Sequence, residues 1–291
     1  MSYKDDILQP LKSADIPKLM NVLMTDLPNS SWIYNWIKTQ LDWLKELKWV
    51  RVLVLCPRGD WTTGTVIALN VGLANNGKVF GAIYSIETDG VLLKKCLIES
   101  EMIPWRAMSD YVTVSEGHAN IYLDALKVKG LQVIHHAICA IAYMPPDDAK
   151  TVVVPELPAG ARIAPLDVDR DLDTVWDNWP HFPPDFKPVL QMMIRFNPSF
   201  GIFVTCEDGR EELASMIVQA STVGMGILQT LSKHRRKGFA HILLAHVTKN
   251  MGQAGIGSMA HIIATQNTSI VMFKKVGYKF IGQSMWVKIN N

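Results

Sequence analysis

The sequence predicts an α/β protein of two domains, residues 1–150 and 151–291, with a mixed sheet in the second. Three observations predict it. Apolar strand-like runs alternate with amphipathic helical stretches through the later half. Residues 144–170 hold Pro145, Pro146, Pro155, Pro158 and Pro165 among acidic side chains, which suits a linker leading into a short extended segment. Finally, the basic run Arg235-Arg236-Lys237-Gly238-Phe239-Ala240 falls between an apolar strand and an amphipathic helix.

In the first half, Trp32, Trp36, Leu41, Trp43, Leu44 and Leu47 recur among lysines, so residues 31–49 are expected to form an amphipathic helix. Residues 49–56 are β-branched and end at Pro57-Arg58-Gly59, which predicts a strand, and 80–86 predicts another. Residues 122–126 and 133–138 fit either helix or strand. In the second half, 171–178 and 188–197 read as helices, 200–205 as a strand, Glu207-Asp208-Gly209-Arg210 as a hairpin turn, and 213–220 as the returning strand. A third strand, 226–231, runs into the basic loop. A helix follows from Ala240 to about Ala254, with Ile242, Leu243, Leu244 and Val247 on its apolar side. Strand 259–265, helix 269–276 and strand 278–289 complete the series.

Hydrophobic residues make up 48% and charged residues 19% of the 291, enough apolar material for full cores. A formal net charge of +2 argues against a general nucleic-acid or membrane-surface binder. Cys56, Cys96, Cys139 and Cys206 lie far apart, with neither a CxxC pair nor a Cys/His cluster. They read as reduced, mostly buried thiols of an intracellular protein, and no metal site is expected. The opening Met-Ser-Tyr-Lys-Asp-Asp resembles neither a signal segment nor an Arg-rich transit peptide, and no uncharged apolar run approaches the ~18 residues of a membrane span. A soluble, cytoplasmic protein with no membrane partner is the expectation.

The basic loop is where chemistry concentrates. A helix N-terminus exposes unpaired N–H groups with roughly half a positive charge, a glycine admits a phosphate close to the backbone, and basic side chains add Coulomb attraction. The same residues would also suit a basic surface turn capping a helix. The strand before the loop and the helix after it favour a phosphate cradle.

Downstream stands Asn267-Thr268-Ser269-Ile270-Val271-Met272-Phe273-Lys274-Lys275-Val276-Gly277-Tyr278. The order strand, R-x-x-G-x-A, helix, strand, N-x-x-S-x-x-x-F-x-x-x-G-Y resembles the acyl-CoA site of the GCN5-related N-acyltransferase (GNAT) superfamily. Residues 175–179, 197–204, 207–209 and 230–238 are further similar to its glycine N-acyltransferase branch. The superfamily resemblance covers about residues 155–291, and the branch resemblance extends thinly over the first half.

The resemblance implies a GNAT-type mixed sheet in which strands 226–231 and 259–265 run parallel and splay. Backbone groups of Gln229, Thr230 and Leu231 would bond a pantetheine arm, amides of Arg236, Lys237, Gly238, Phe239 and Ala240 would hold the pyrophosphate beside Arg235, and Asn267 and Phe273 would line the arm. Acetyl-CoA or another acyl-CoA would be the co-substrate and a small amine the acceptor, with no metal and no nucleic acid. The resemblance also brings a mitochondrial location into view.

Two departures bear on mechanism. Many members place a tyrosine where Phe273 stands, and glycine N-acyltransferases place a glutamate where Gly224 stands. Neither residue here does acid–base work. His261, on the strand flanking the splay, is the candidate base; His234 beside the loop is expected to be exposed. Three readings follow in order: an N-acyltransferase acting on a small amine, an amino acid such as glycine among them; a protein or peptide N-acetyltransferase; and a non-catalytic CoA-binding protein.

Other features carry less. Gly72–Val79 imitates G-x-x-x-x-G-K but puts Val79 where a Ser or Thr is needed, and no helical pattern follows. His135-His136 reads as half-buried structure, and the tryptophans at 32, 36, 43 and 49 as core. Phe80-Gly-Ala-Ile-Tyr84 and Phe200-Gly-Ile-Phe-Val204, each followed by an acidic turn, suggest that the divergent first half is a degenerate copy of the second.

Overall fold

A computed structural model describes residues 5–73, 77–108, 112–180, 182, 186–220 and 224–290. It divides into two compact units, Met1–Ala140 with Ile281–Asn291, and Ile141–Phe280.

The first series of elements is β1 (Leu8–Pro10), α1 (Ile16–Met24), α2 (Ser31–Trp43), β2 (Arg51–Pro57), β3 (Val66–Val71), β4 (Val79–Tyr84), α3 (Val91–Glu99), β5 (Val112–Ser115), α4 (Ala119–Val128) and β6 (Gln132–Met144). After the single turn α5 (Pro146–Ala149) comes the second: β7 (Ala161–Pro165), α6 (Val168–Asp177), α7 (Lys187–Phe196), β8 (Ser199–Thr205), β9 (Glu211–Ala220), β10 (Gly224–Thr230), α8 (Phe239–Gln253), β11 (Ser258–Ile263), α9 (Asn267–Val276) and β12 (Lys279–Asn290). The order is the same in both: strand, two helices, three strands, helix, strand, helix, strand.

In the first unit β1 to β4 pair antiparallel in sequence. β5 joins β4 in parallel, with Ala82 against Thr113 and Ile83 against Val114. β12 follows, antiparallel to β5 from Ser284↔Ser115 to Val287↔Val112, so the last strand of the second series completes the first unit's sheet. Leu69, Ile83, Leu97, Val114, Tyr122 and Val287 are among the buried side chains of its core. In the second unit, β7 to β10 form an antiparallel meander, while β11 lies next to β6 in the other sheet. Its core gathers Ile202, Ile217, Phe239, Leu243, Val247, Ile262 and Phe273. Full burial of each such side chain is worth roughly 1.5–3 kcal/mol.

Several expectations are corrected. The helix expected over 31–49 stops at Trp43, because Lys45 N–H and Glu46 N–H turn back to Asp42 O and Trp43 O in tighter three-residue steps. Leu47 still reaches the core, but Trp49 is 63% exposed and is not a core residue. Residues 122–126 prove helical and 133–138 extended, and His135 and His136 are exposed rather than half-buried. The imitation phosphate loop at 72–79 runs into strand β4, and its residues 74–76 lie outside the described residues. Phe80 and Phe200 occupy β4 and β8, the fourth and second strands of their antiparallel runs, so those short runs are not equivalent positions. The shared element order, rather than those runs, relates the two halves.

Candidate functional site

β10 is the edge of its four-stranded meander and β11 belongs to the other sheet, so the two neighbours are not joined by a hydrogen-bond ladder. The helical crossover α8 links them, the connection a parallel pair requires. They are in close contact at the start of β10. Gly224 adopts φ +101°, and a Cβ there would lie 2.6 Å from both the carbonyl oxygen and Cγ of Met259 on β11. Farther along, Ile227 and Leu228 together stand opposite Ile217 alone, since Gly226 pairs with Val218 and Gln229 with Met216. Ile227 sits at φ +51°, an outlier for a β-branched residue and the mark of a β-bulge.

Beyond the bulge the strand is tied inward. Ser215 Oγ donates to Gln229 O at 3.1 Å and shares a 2.9 Å bond with Thr230 Oγ1. Leu231 donates its N–H to Ala214 O and accepts at its carbonyl from His234 N. Arg235 Nε reaches back to Thr230 O at 3.2 Å. Arg235, Arg236, Lys237 and Gly238 are all exposed, whereas Phe239 is buried and Ala240 half-buried. Arg236 and Gly238 take left-handed φ values of +63° and +81°. Such a run of amides near a helix start can form an anion-binding concavity. The N-cap of α8 is Gly238, which has no side chain to occupy the first-turn N–H groups, and nothing lies within 4 Å of where its Cβ would be.

The corresponding place in the first half is closed. There the turn between β4 and α3 carries Glu87 and Asp89 in place of arginine and lysine. Glu87 Oε2 accepts Leu92 N–H at 2.9 Å, and Asp89 Oδ1 accepts Val91 N–H at 3.1 Å. Its own carboxylates thus fill the anion site at the α3 N-terminus. Strands β4 and β5 are zipped by parallel pairing where β10 and β11 are not. Among the described residues, the first-turn N–H groups of Val91 and Leu92 and the facing edges of β4 and β5 are already occupied.

Of the other expected site residues, Asn267 is exposed at the first position of α9. Phe273 is buried and meets Tyr278 edge-on, with ring centroids 4.9 Å apart. Tyr278 hydroxyl bonds both Thr248 Oγ1 and Ser258 Oγ at 2.6 Å, and burial raises its pKa above the usual tyrosine value. His261 lies on β11, and burial pushes its pKa down to about 3, so it is neutral near pH 7 and a feeble base. Among the described residues no His/Cys/Asp/Glu group could hold a metal, and no helix is long and apolar enough to cross a membrane.

His234 is a correction. Its side chain is 8% exposed, and Nε2 lies 2.6 Å from Glu212 Oε1 on β9. The second oxygen of Glu212 pairs with Lys233. Hydrogen bonds from Lys233, and secondarily from His234, hold the Glu212 carboxyl below its ordinary pKa. The sequence missed this partner because Glu212 lies more than 20 positions upstream, on a different strand.

A cavity of about 340 Å³ adjoins this corner, lined by Arg170, Asp171, Phe203, Glu211, Glu212 and Leu231 among others. Its charges are already matched. Arg170 grips Asp171 through Nε and Nη2, both at 2.8 Å, Arg162 grips Glu211, and both guanidinium groups lie over Phe203.

Residues 199–287 match the family model described as FR47-like protein. No curated protein matches the chain. Among solved structures, a Drosophila protein determined by a structural genomics consortium is 26% identical, with 98% of this chain and 99% of that one covered and a TM-score of 0.84. A tandem GNAT protein from the clavulanic acid biosynthesis pathway, solved without AcCoA, is 11% identical, with 97% of each chain covered and a TM-score of 0.55. A GCN5-related N-acetyltransferase from Sphaerobacter thermophilus is 15% identical over 97% of this chain and 95% of its own, also with a TM-score of 0.55. The likeness to these structures is one of fold: the chain has the GNAT fold together with a second α/β unit.

Proposed function

We propose that the chain is an acyl-CoA-dependent N-acyltransferase that acylates a small amine, with amino acids such as glycine as the first acceptors to try. The observation that carries this reading is the open cradle at Arg235–Ala240 beside two unzipped strands, set against its closed counterpart in the first half. The catalytic domain is the GNAT-like region within residues 151–291.

The residues present fit the group. Amides of Arg236 to Ala240 would hold the pyrophosphate, with Arg235, Arg236 and Lys237 supplying counter-charge. The outer edge of β10 at Gln229 and Thr230, with Asn267 across the gap, would take the pantetheine amides. Bound acyl-CoA supplies a thioester carbonyl, at which an amine forms the C–N bond as the C–S bond breaks and its proton passes to the departing thiolate. The bulge at Ile227–Leu228 would free backbone groups from the β9 ladder for the bound arm. His261 is kept neutral and acts as a hydrogen-bonding wall rather than a base, so the amine arrives unprotonated and orientation supplies most of the rate. Four free cysteines accord with a reducing cytoplasm.

Phe273 and Gly224 favour a second reading, a CoA-binding protein without turnover. Free-thiol release with acetyl-CoA, longer acyl-CoAs and an amine panel including glycine separates the two. Amine-dependent release establishes the enzyme. CoA binding with no release on any amine establishes the binder.

A further inference from the structure

We propose that Glu212 and His234 are positioning residues that hold the basic loop in its receptive shape; this rests on the acyl-CoA reading above. The loop needs such support. Arg236 is a non-glycine residue at φ +63°, a conformation that is strained for a side-chain-bearing residue, and residues 235–238 are all exposed. Strained backbone persists only where neighbours fix it.

The imidazole of His234 supplies that fixation on two sides. Toward β9, Nε2 bonds Glu212 Oε1 at 2.6 Å, and the same carboxylate holds Lys233, so one acid grips two consecutive residues just ahead of Arg235. Toward α8, the ring lies 6.3 Å, centroid to centroid, from Phe239, the buried first residue of the helix. One side chain thereby connects both ends of Arg235–Gly238 to fixed elements. A carboxylate oxygen can only accept, so Nε2 is the donor in this bond.

The other ring nitrogen argues in the same direction. Nδ1 is buried and has no hydrogen-bond partner among the described residues. Leaving a buried polar atom unsatisfied is destabilising, a penalty that a leucine filling the same space would avoid. A histidine serving only to pack is therefore a poor solution, whereas one serving to aim the loop through Glu212 is a good one.

The test compares E212A, H234L, H234Q and the E212A/H234L double variant in the full chain. CoA binding is measured by calorimetry, kinetics with acetyl-CoA, and folding by thermal melting. Glutamine can still donate an N–H near the position of Nε2, whereas leucine cannot. E212A and H234L are expected to raise the KM for acetyl-CoA and the Kd for CoA about tenfold, with kcat and the amine KM within about twofold. H234Q should recover to within about threefold, and the double variant should be no weaker than the worse single. Should H234L fold poorly, the comparison of E212A with H234Q carries the test. Wild-type-like CoA affinity in E212A, or equal weakness in H234Q and H234L, overturns the proposal alone. A wild-type protein that binds no CoA removes the acyl-CoA reading and this proposal with it.

Discussion

A Cβ on Gly224 would lie 2.6 Å from the carbonyl oxygen of Met259, so the start of β10 is closed against β11 by backbone as well as by the Met259 side chain. A glutamate side chain at this position therefore has no room. Gly224→Glu is expected to destabilise the fold by at least 2 kcal/mol through clash and the φ of +101°, and Gly224→Ala by a comparable amount. Urea unfolding measures the loss. A stable Gly224→Glu protein with faster turnover would show that the strand can yield and that a base was all the site lacked.

The cradle is a charge-and-backbone device, and its two parts should respond differently to salt. Replacing Arg235 and Lys237 by glutamine should weaken CoA binding about tenfold at low ionic strength and less at 0.5 M salt, since exposed charges are screened. Gly238→Trp should abolish binding at every salt concentration, because it places a ring where the phosphate belongs. Titrations at two salt concentrations decide this.

In the first half, Glu87 and Asp89 occupy the α3 N-terminus, so that half should bind no CoA. Glu87→Ala removes the carboxylate that accepts Leu92 N–H and should cost about 1 kcal/mol of stability without changing the stoichiometry of CoA binding. A second equivalent bound by the wild-type protein would contradict the comparison between the halves.

His261 links stability to pH. Burial lowers its folded-state pKa to about 3 against an ordinary 6.5, so between those values the unfolded chain binds the extra proton. Stability is then complete above pH 6.5 and falls as pH drops toward 3, by on the order of a few kcal/mol. His261→Leu should flatten that acid limb in denaturant titrations at pH 4, 5 and 7. An unchanged slope would place the acid sensitivity elsewhere.

Much of this was legible in the chain because it is local. The glycine at 238, the four cations around it and the apolar residues of α8 follow one another within a few turns, so their joint meaning survives without a structure. Element types in the second half came from periodicity for the same reason. What could not be read depends on neighbours distant in sequence. Gly224 reads as a missing side chain until Met259 is placed against it. His234 reads as an exposed loop residue until Glu212 arrives from β9. The bulge at Ile227 exists only relative to the register of its partner strand, and the pairing of β12 with β5 joins residues some 170 positions apart. Trp49, apolar yet exposed, shows the limit of composition alone.

Calorimetric titration of the full chain with CoA decides whether the second half holds one acyl-CoA at Arg235–Ala240 and the first half none. Saturable binding at one molecule per chain is expected, lost in Gly238→Trp protein that remains folded by circular dichroism. Absence of binding, or binding that survives Gly238→Trp, would contradict that expectation.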